Sequence, residues 1–190
     1  MLEFCLKEYK IKLSFSFFAV LAVLFFIGDN FAVITALLCC FIHEFGHMLM
    51  MYKFSVPINE ITLYGGGIKL KSEQDRLYNK KSEIYVLLAG AGVNIVCFFI
   101  FKGILTQFAY TSLILGLFNL LPYKYFDGGR VLKLIFEDSV SVAMNSAYKA
   151  IRAVLILLTI CVIILMIYKG ITNFSLIITL VYIVVSEIFC

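Results

Sequence analysis

The chain has 190 residues, of which 63% are hydrophobic and only 15% charged, with a mean hydropathy of +1.02. Water-soluble domains are about half apolar, so this composition excludes one and makes the bilayer the solvent. The net charge of +4 does not argue for nucleic acid or another acidic partner, because in a membrane protein the placement of Lys and Arg outweighs their sum.

Met1 to Lys12 is charged and runs into an apolar stretch with no small-residue cleavage site, which predicts a retained first transmembrane segment rather than a removed signal. Apolar stretches then follow at Leu13–Gly28, Phe31–Ile42 (continuing to about Tyr52), Ile84–Phe101, Gly103–Tyr123, Ala153–Tyr168 and Gly170–Ser186. Each is near the roughly 20 residues a spanning helix needs. Lipid satisfies no backbone group, so these runs must be helical. The expected fold is therefore an all-α polytopic membrane protein with six transmembrane helices. One domain is expected over 1–190, with a catalytic core at about 31–130 and accessory helices at 13–28, 150–168 and 170–189.

With the N-terminus inside, fourteen of the sixteen basic residues fall on the cytoplasmic side, and only Lys102 and Lys169 fall outside. That is a strong positive-inside signal. It predicts a multi-pass protein of a bacterial cytoplasmic membrane with both termini cytoplasmic. Two inner segments are more than connectors. Ile58, Ile61 and Leu63, then Gly65-Gly66-Gly67, then Ile68 and Leu70, read as a short membrane-associated β-hairpin between the second and third helices. Arg130 to Arg152 mixes apolar and polar residues as an interfacial amphipathic helix would. The six cysteines show no CxxC pairing and lie partly inside apolar runs, so neither a disulfide framework nor a structural zinc site is expected.

The second apolar run contains His43-Glu44-Phe45-Gly46-His47, an HExxH pattern. Residues four apart share a helix face, so both imidazoles can hold one zinc ion, with Glu44 beside them as general base. Zinc there would lower the pKa of a bound water to about 7 and polarise a scissile carbonyl. A charged group inside an apolar helix costs at least ~2.5 kcal/mol, so Glu44 would hardly persist without a partner. The chain's only two histidines stand at zinc spacing. Interhelical hydrogen bonding alone would not require that.

Catalytic zinc takes three protein ligands and keeps one position open. With no third histidine, the third ligand must be a carboxylate or a thiolate. Most acids lie in the tail or in loops, and Glu83 and Glu187 read as helix-end residues for which solvation is enough. Asp127 follows Asn119-Leu120-Leu121-Pro122 and precedes Gly128-Gly129, where Pro and Gly break the helix at membrane depth. It is the expected third ligand. Taken alone it would read as a helix-capping turn residue. Cys39 and Cys40 are poorer alternatives on the motif's own helix.

Three elements together resemble the site-2 proteases, within them the sporulation factor IVFB-like branch: His43-Glu44-Phe45-Gly46-His47, Gly90-Ala91-Gly92-Val93-Asn94, and Asn119-Leu120-Leu121-Pro122 with Asp127-Gly128-Gly129-Arg130. The resemblance covers His43 to Arg130. It implies that Asp127 is the third zinc ligand, that the glycine hairpin at Gly65, Gly66 and Gly67 lies beside the substrate path, and that Asn94 and Asn119 help hold the substrate backbone or the catalytic geometry. Read physically, Asn94 would be an interhelical hydrogen-bonding residue, and Gly90 and Gly92 a close-packing surface. The sequence departs from the family where Tyr123, Lys124 and Tyr125 replace further prolines. Neither a PDZ-like insertion nor a nucleotide-sensing CBS domain is expected.

The expected function is an intramembrane zinc metalloendopeptidase, with one catalytic Zn2+, that cleaves membrane-tethered proteins or peptides near the cytoplasmic face. Expected partners are that substrate, the lipid bilayer, a membrane inhibitor or partner protein, and a second copy of the chain in a homo-oligomer, but no nucleic acid. The alternative is a non-catalytic metal carrier or scaffold, which would have no use for Glu44.

Overall fold

A computed structural model of the chain describes residues 2–6, 9–56, 60–64, 67–71, 79–137, 142–170 and 174–189. The residues fall into two units, 1–120 and 121–190.

The first unit begins with a surprise. Where the sequence reads as a charged tail, Leu2–Leu6 (β1) and Tyr9–Leu13 (β2) pair antiparallel, Leu6 opposite Tyr9. The cause is period-two alternation in the sequence, Leu2, Phe4 and Leu6 recurring at every second position and Ile11 and Leu13 alternating with Lys10 and Lys12. β2 then pairs parallel with Glu60–Tyr64 (β3), which pairs antiparallel with Gly67–Lys71 (β4), in the order β1-β2-β3-β4. Ser14 N–H donates to Leu63 O at 2.9 Å, and Lys12 Nζ lies 2.9 Å from Glu60 Oε2 across the parallel pair. A parallel pair needs a crossover connection. Here the crossover consists of the first two helices. β3 and β4 are the two strands read around the glycine turn; Gly65, Gly66 and Ile58 lie outside the described residues, while Gly67 opens β4 opposite Tyr64.

The crossover runs through Phe15–Ile27 (α1) and Asn30–Lys53 (α2). Asp29 starts α2, its carboxylate accepting Ala32 N–H at 3.0 Å. On α2 the buried positions Thr35, Cys39, His43, Gly46 and His47 recur every three or four residues. Phe31, Ile34, Leu38, Phe41, Phe45 and Leu49 form the opposite, exposed face. The polar groups point inward and the large apolar ones outward, as a lipid solvent requires.

Lys80–Phe101 (α3) and Thr106–Asn119 (α4) complete this unit. They bury Leu87, Gly90, Ala91 and Asn94 on α3 and Ala109, Ser112 and Gly116 on α4. Helices in lipid gain little from hiding apolar area, so small residues that admit close backbone contact carry the packing. α4 stops at Asn119 rather than continuing to Tyr123, because Pro122 has no N–H to continue the ladder.

The second unit opens with the irregular segment 121–126, followed by Asp127–Glu137 (α5), Val142–Tyr168 (α6) and Phe174–Phe189 (α7). α5 is amphipathic as expected of this region but short; Asn145, Tyr148, Lys149 and Arg152, also read as interfacial, instead belong to the long α6. Tyr123 and Thr159 share a 2.6 Å hydroxyl hydrogen bond in the interior. Glu187 does not have the solvated helix-end role the sequence suggests. It is buried and paired with Arg152, Nη2 to Oε2 2.6 Å.

The sequence predicts six spans. Among the described residues, three helices are long and apolar enough to cross a membrane by length and composition: Asn30–Lys53, Lys80–Phe101 and Ser146–Tyr168. The apolar helix at Phe15–Phe26 is shorter. At 1.5 Å per residue α4 and α7 reach only about 21 and 24 Å, against a hydrocarbon core of about 30 Å.

Candidate metal centre

The centre is built on the close crossing of α2 and α3. A Cβ on Gly46 would stand 2.8 Å from Ala89 O and 3.0 Å from Gly90 Cα, so only glycine admits this approach. One turn on, a Cβ on Gly90 would stand 2.5 Å from His47 Nε2 and 2.8 Å from His43 Cε1. The missing side chain of Gly90 is the space the two rings occupy. Gly116 does the same between α4 and α3, where a Cβ would lie 3.1 Å from Ala91 O and from Asn94 Cβ. Gly92 has nothing within 4 Å of such a Cβ, so the close-packing surface read at Gly90 and Gly92 belongs to Gly90 alone.

Both histidines are buried, and their rings meet edge to face with centroids 4.7 Å apart. His47 Nδ1 is 2.7 Å from Val86 O. A carbonyl can only accept, so Nδ1 carries the proton and Nε2 keeps its lone pair. That lone pair is directed at His43 Nε2, 3.1 Å away. Two nitrogens bound to one tetrahedral zinc at about 2.0–2.1 Å stand about 3.3 Å apart. The imidazole pair therefore already has nearly the separation a shared ion needs, and the residues present fit the metal.

Behind His43 lies Asn94, fully buried, with Nδ2 3.4 Å from His43 Nδ1. Its Oδ1 has no hydrogen-bond partner, and a buried orphan acceptor of this kind costs about 1–3 kcal/mol. Ser112 Oγ donates to Asn94 main-chain O at 3.1 Å, fixing α4 against this turn of α3.

The remaining candidates separate clearly. Glu44 follows His43 and is half-buried. Cys39 is buried on the histidine face, but its thiol donates to Phe108 O at 3.7 Å, which gives it a role in joining α2 to α4. Asn119 donates to Leu115 O of its own helix at 3.1 Å. Asp127 belongs to the second unit, where it is the first residue of α5 and buried. Gly129 packs so closely on the preceding turn that any Cβ would overlap Tyr123 O.

Residues 100–167 match the model of peptidase family M50. The structure is similar to the site-2 protease from Methanocaldococcus jannaschii, with a TM-score of 0.67 and 20% identity, over 98% of this chain and 93% of that one. The chain thus shares the fold of that site-2 protease, and its residues 100–167 resemble peptidase family M50. No curated protein sequence matches it.

Some features of this centre carry no sequence signal. The anchor for His47 is a backbone carbonyl, which any residue at Val86 would supply. The role of Gly90 was half visible as a small residue at an interface, but not that it faces the imidazoles.

Proposed function

We propose that the chain is an intramembrane zinc metalloendopeptidase that cleaves membrane-tethered proteins or peptides. The observation that carries this reading is the convergence of His43 Nε2 and His47 Nε2 at 3.1 Å on a helix with a lipid-facing outer side. Glu44 stands one residue from the first imidazole.

Asp127 is the third ligand in this reading. It is buried at the start of α5, just after the helix break at Pro122, and its carboxylate would complete the donor set of the two imidazoles. Two imidazoles and a carboxylate suit zinc and leave the fourth position for water or substrate. Bound zinc supplies Lewis-acid polarisation of the scissile carbonyl and acidifies the attacking water. Glu44 takes the water's proton and returns it to the departing amine. Asn94 orients His43: with its carboxamide turned so that Oδ1 faces the ring, it accepts the Nδ1 proton, relieves the orphan oxygen and leaves Nε2 free for metal. Both histidines then present the same tautomer. In this reading the six apolar runs supply six spans, the distribution of basic residues puts both termini in the cytoplasm, and the motif's place past the midpoint of an inward-running helix puts the site near the inner face. In this topology Gly65, Gly66, Gly67 and Asn119 lie on the inner side, where a substrate strand would enter.

The test uses purified protein in lipid with a panel of tagged single-span membrane proteins as substrates. Chelation should abolish cleavage, zinc should restore it, and Asp127→Ala should weaken zinc binding by on the order of 100-fold. Cleavage that continues at full rate in metal-free protein rules the reading out. A carrier or scaffold would bind zinc and cleave nothing in the panel.

Asn94 gives a separate expectation. Asn94→Ala should weaken zinc binding by about 10- to 100-fold, and Asn94→Asp, which still accepts the Nδ1 proton, should restore most of it. Titration against a colorimetric chelator measures both. Equal affinities for the Ala and Asp variants would remove Asn94 from this role.

A further inference from the structure

We propose that Glu187, near the end of the last helix, is a positioning residue for the metal site: it holds the turn that carries Asp127. This rests on the reading of Asp127 as a zinc ligand. All of the supporting contacts lie within the second unit. The Glu187 side chain is only 4% exposed. Its Oε1 accepts the backbone N–H of Lys124, three residues before Asp127. Its Oε2 accepts Arg152 Nε–H at 2.9 Å and Nη2–H at 2.6 Å, and Nη2–H also reaches Glu187 main-chain O at 2.8 Å. The guanidinium of α6 thus fixes the carboxylate in place, and the free oxygen is aimed at one backbone amide of the turn.

The turn is closed on itself and on α5. Phe126 N–H donates to Tyr123 O at 3.0 Å and Arg130 N–H to Phe126 O at 3.1 Å, while Gly129 leaves no space above Tyr123 O. A second tie, Tyr123 hydroxyl to Thr159, comes from α6. A shift of Lys124 is therefore passed to Asp127 with little slack. A carboxylate that merely ended a helix would be solvated and would need neither burial nor a two-pronged arginine. Burial of this ion pair costs desolvation, and what it secures is the position of an irregular segment between α4 and α5.

The experiment measures zinc dissociation constants by chelator competition on the full chain in lipid, for Glu187→Ala and Glu187→Gln, each with Asp127 intact and with Asp127→Ala. Thermal unfolding is followed in parallel. With Asp127 intact, Glu187→Ala should weaken zinc binding about 10- to 100-fold, the range for residues that orient metal ligands. In the Asp127→Ala background it should add less than about twofold, because the group it positions is gone. Glu187→Gln keeps an acceptor for Lys124 N–H and should lose less; if the Ala variant does not fold, Gln carries the same comparison. Equal losses in both backgrounds, or none in either while Asp127→Ala alone loses zinc, overturn the role of Glu187. Unchanged zinc affinity in Asp127→Ala alone overturns the ligand assignment instead, and the proposal with it.

Discussion

Glu44→Gln is expected to reduce peptide cleavage on the order of 10³-fold while leaving one zinc per chain. Gln keeps the size of the side chain but cannot accept a proton, and general-base catalysis contributes about 10²- to 10⁴-fold. The metal should stay because its imidazoles are held elsewhere, His47 by Val86 O and His43 against Asn94. The reading predicts a split, with catalysis lost and binding kept. A carrier would show no such split, since transport has no step that needs a base beside the first histidine. Measuring zinc content and cleavage on the same preparation decides it. Undiminished cleavage by the Gln variant would end the protease reading.

Gly90→Ala should be nearly as damaging, by a different route. The added Cβ would meet His47 Nε2 at 2.5 Å, His47 Cε1 at 2.7 Å and His43 Cε1 at 2.8 Å, so both rings must move together. His47 cannot rotate away without giving up its 2.7 Å bond to Val86 O. Core overpacking of this kind costs about 1–3 kcal/mol, and the displaced nitrogens should lower zinc affinity by at least about 100-fold. Gly92→Ala is the matched control, since nothing lies within 4 Å of its Cβ, and it should bind zinc as the natural chain does. Equal zinc affinities for the two alanine variants would show that the imidazoles do not occupy this space.

The contrast between these glycines indicates what a sequence can reveal here. Lipid makes helices legible, because a long apolar run has no other way to satisfy its backbone; α2 and α3 were found for that reason. The histidine pair was legible because its chemistry is fixed by a four-residue spacing. Gly90 and Gly92 look alike as letters and differ only in which way a helix face is turned, which needs the partner helix to be known. The burial of Glu187 is not legible in the sequence because its partner Arg152 is thirty-five positions away, and no local pattern reports a pair so distant. β1 and β2 carry a strand signal in the alternation of Leu2, Phe4 and Leu6, but the nearby lysines read equally well as a topology signal.

The parallel pairing of β2 with β3 also constrains how the protein enters its membrane. The sheet carries Lys10, Lys12, Glu60, Thr62, Lys69 and Lys71, so it cannot lie in hydrocarbon. Leu13 and Leu63 are neighbours in it, and the whole of α1 and α2 lies between them in sequence. However often that intervening chain passes through the bilayer, it must do so an even number of times, or the strands would be on opposite sides. The N-terminal strands can find their place only after α2 has been threaded and β3 has emerged. During synthesis the β1–β2 hairpin therefore waits, its β2 edge still without β3, for the histidine-bearing helix to be installed.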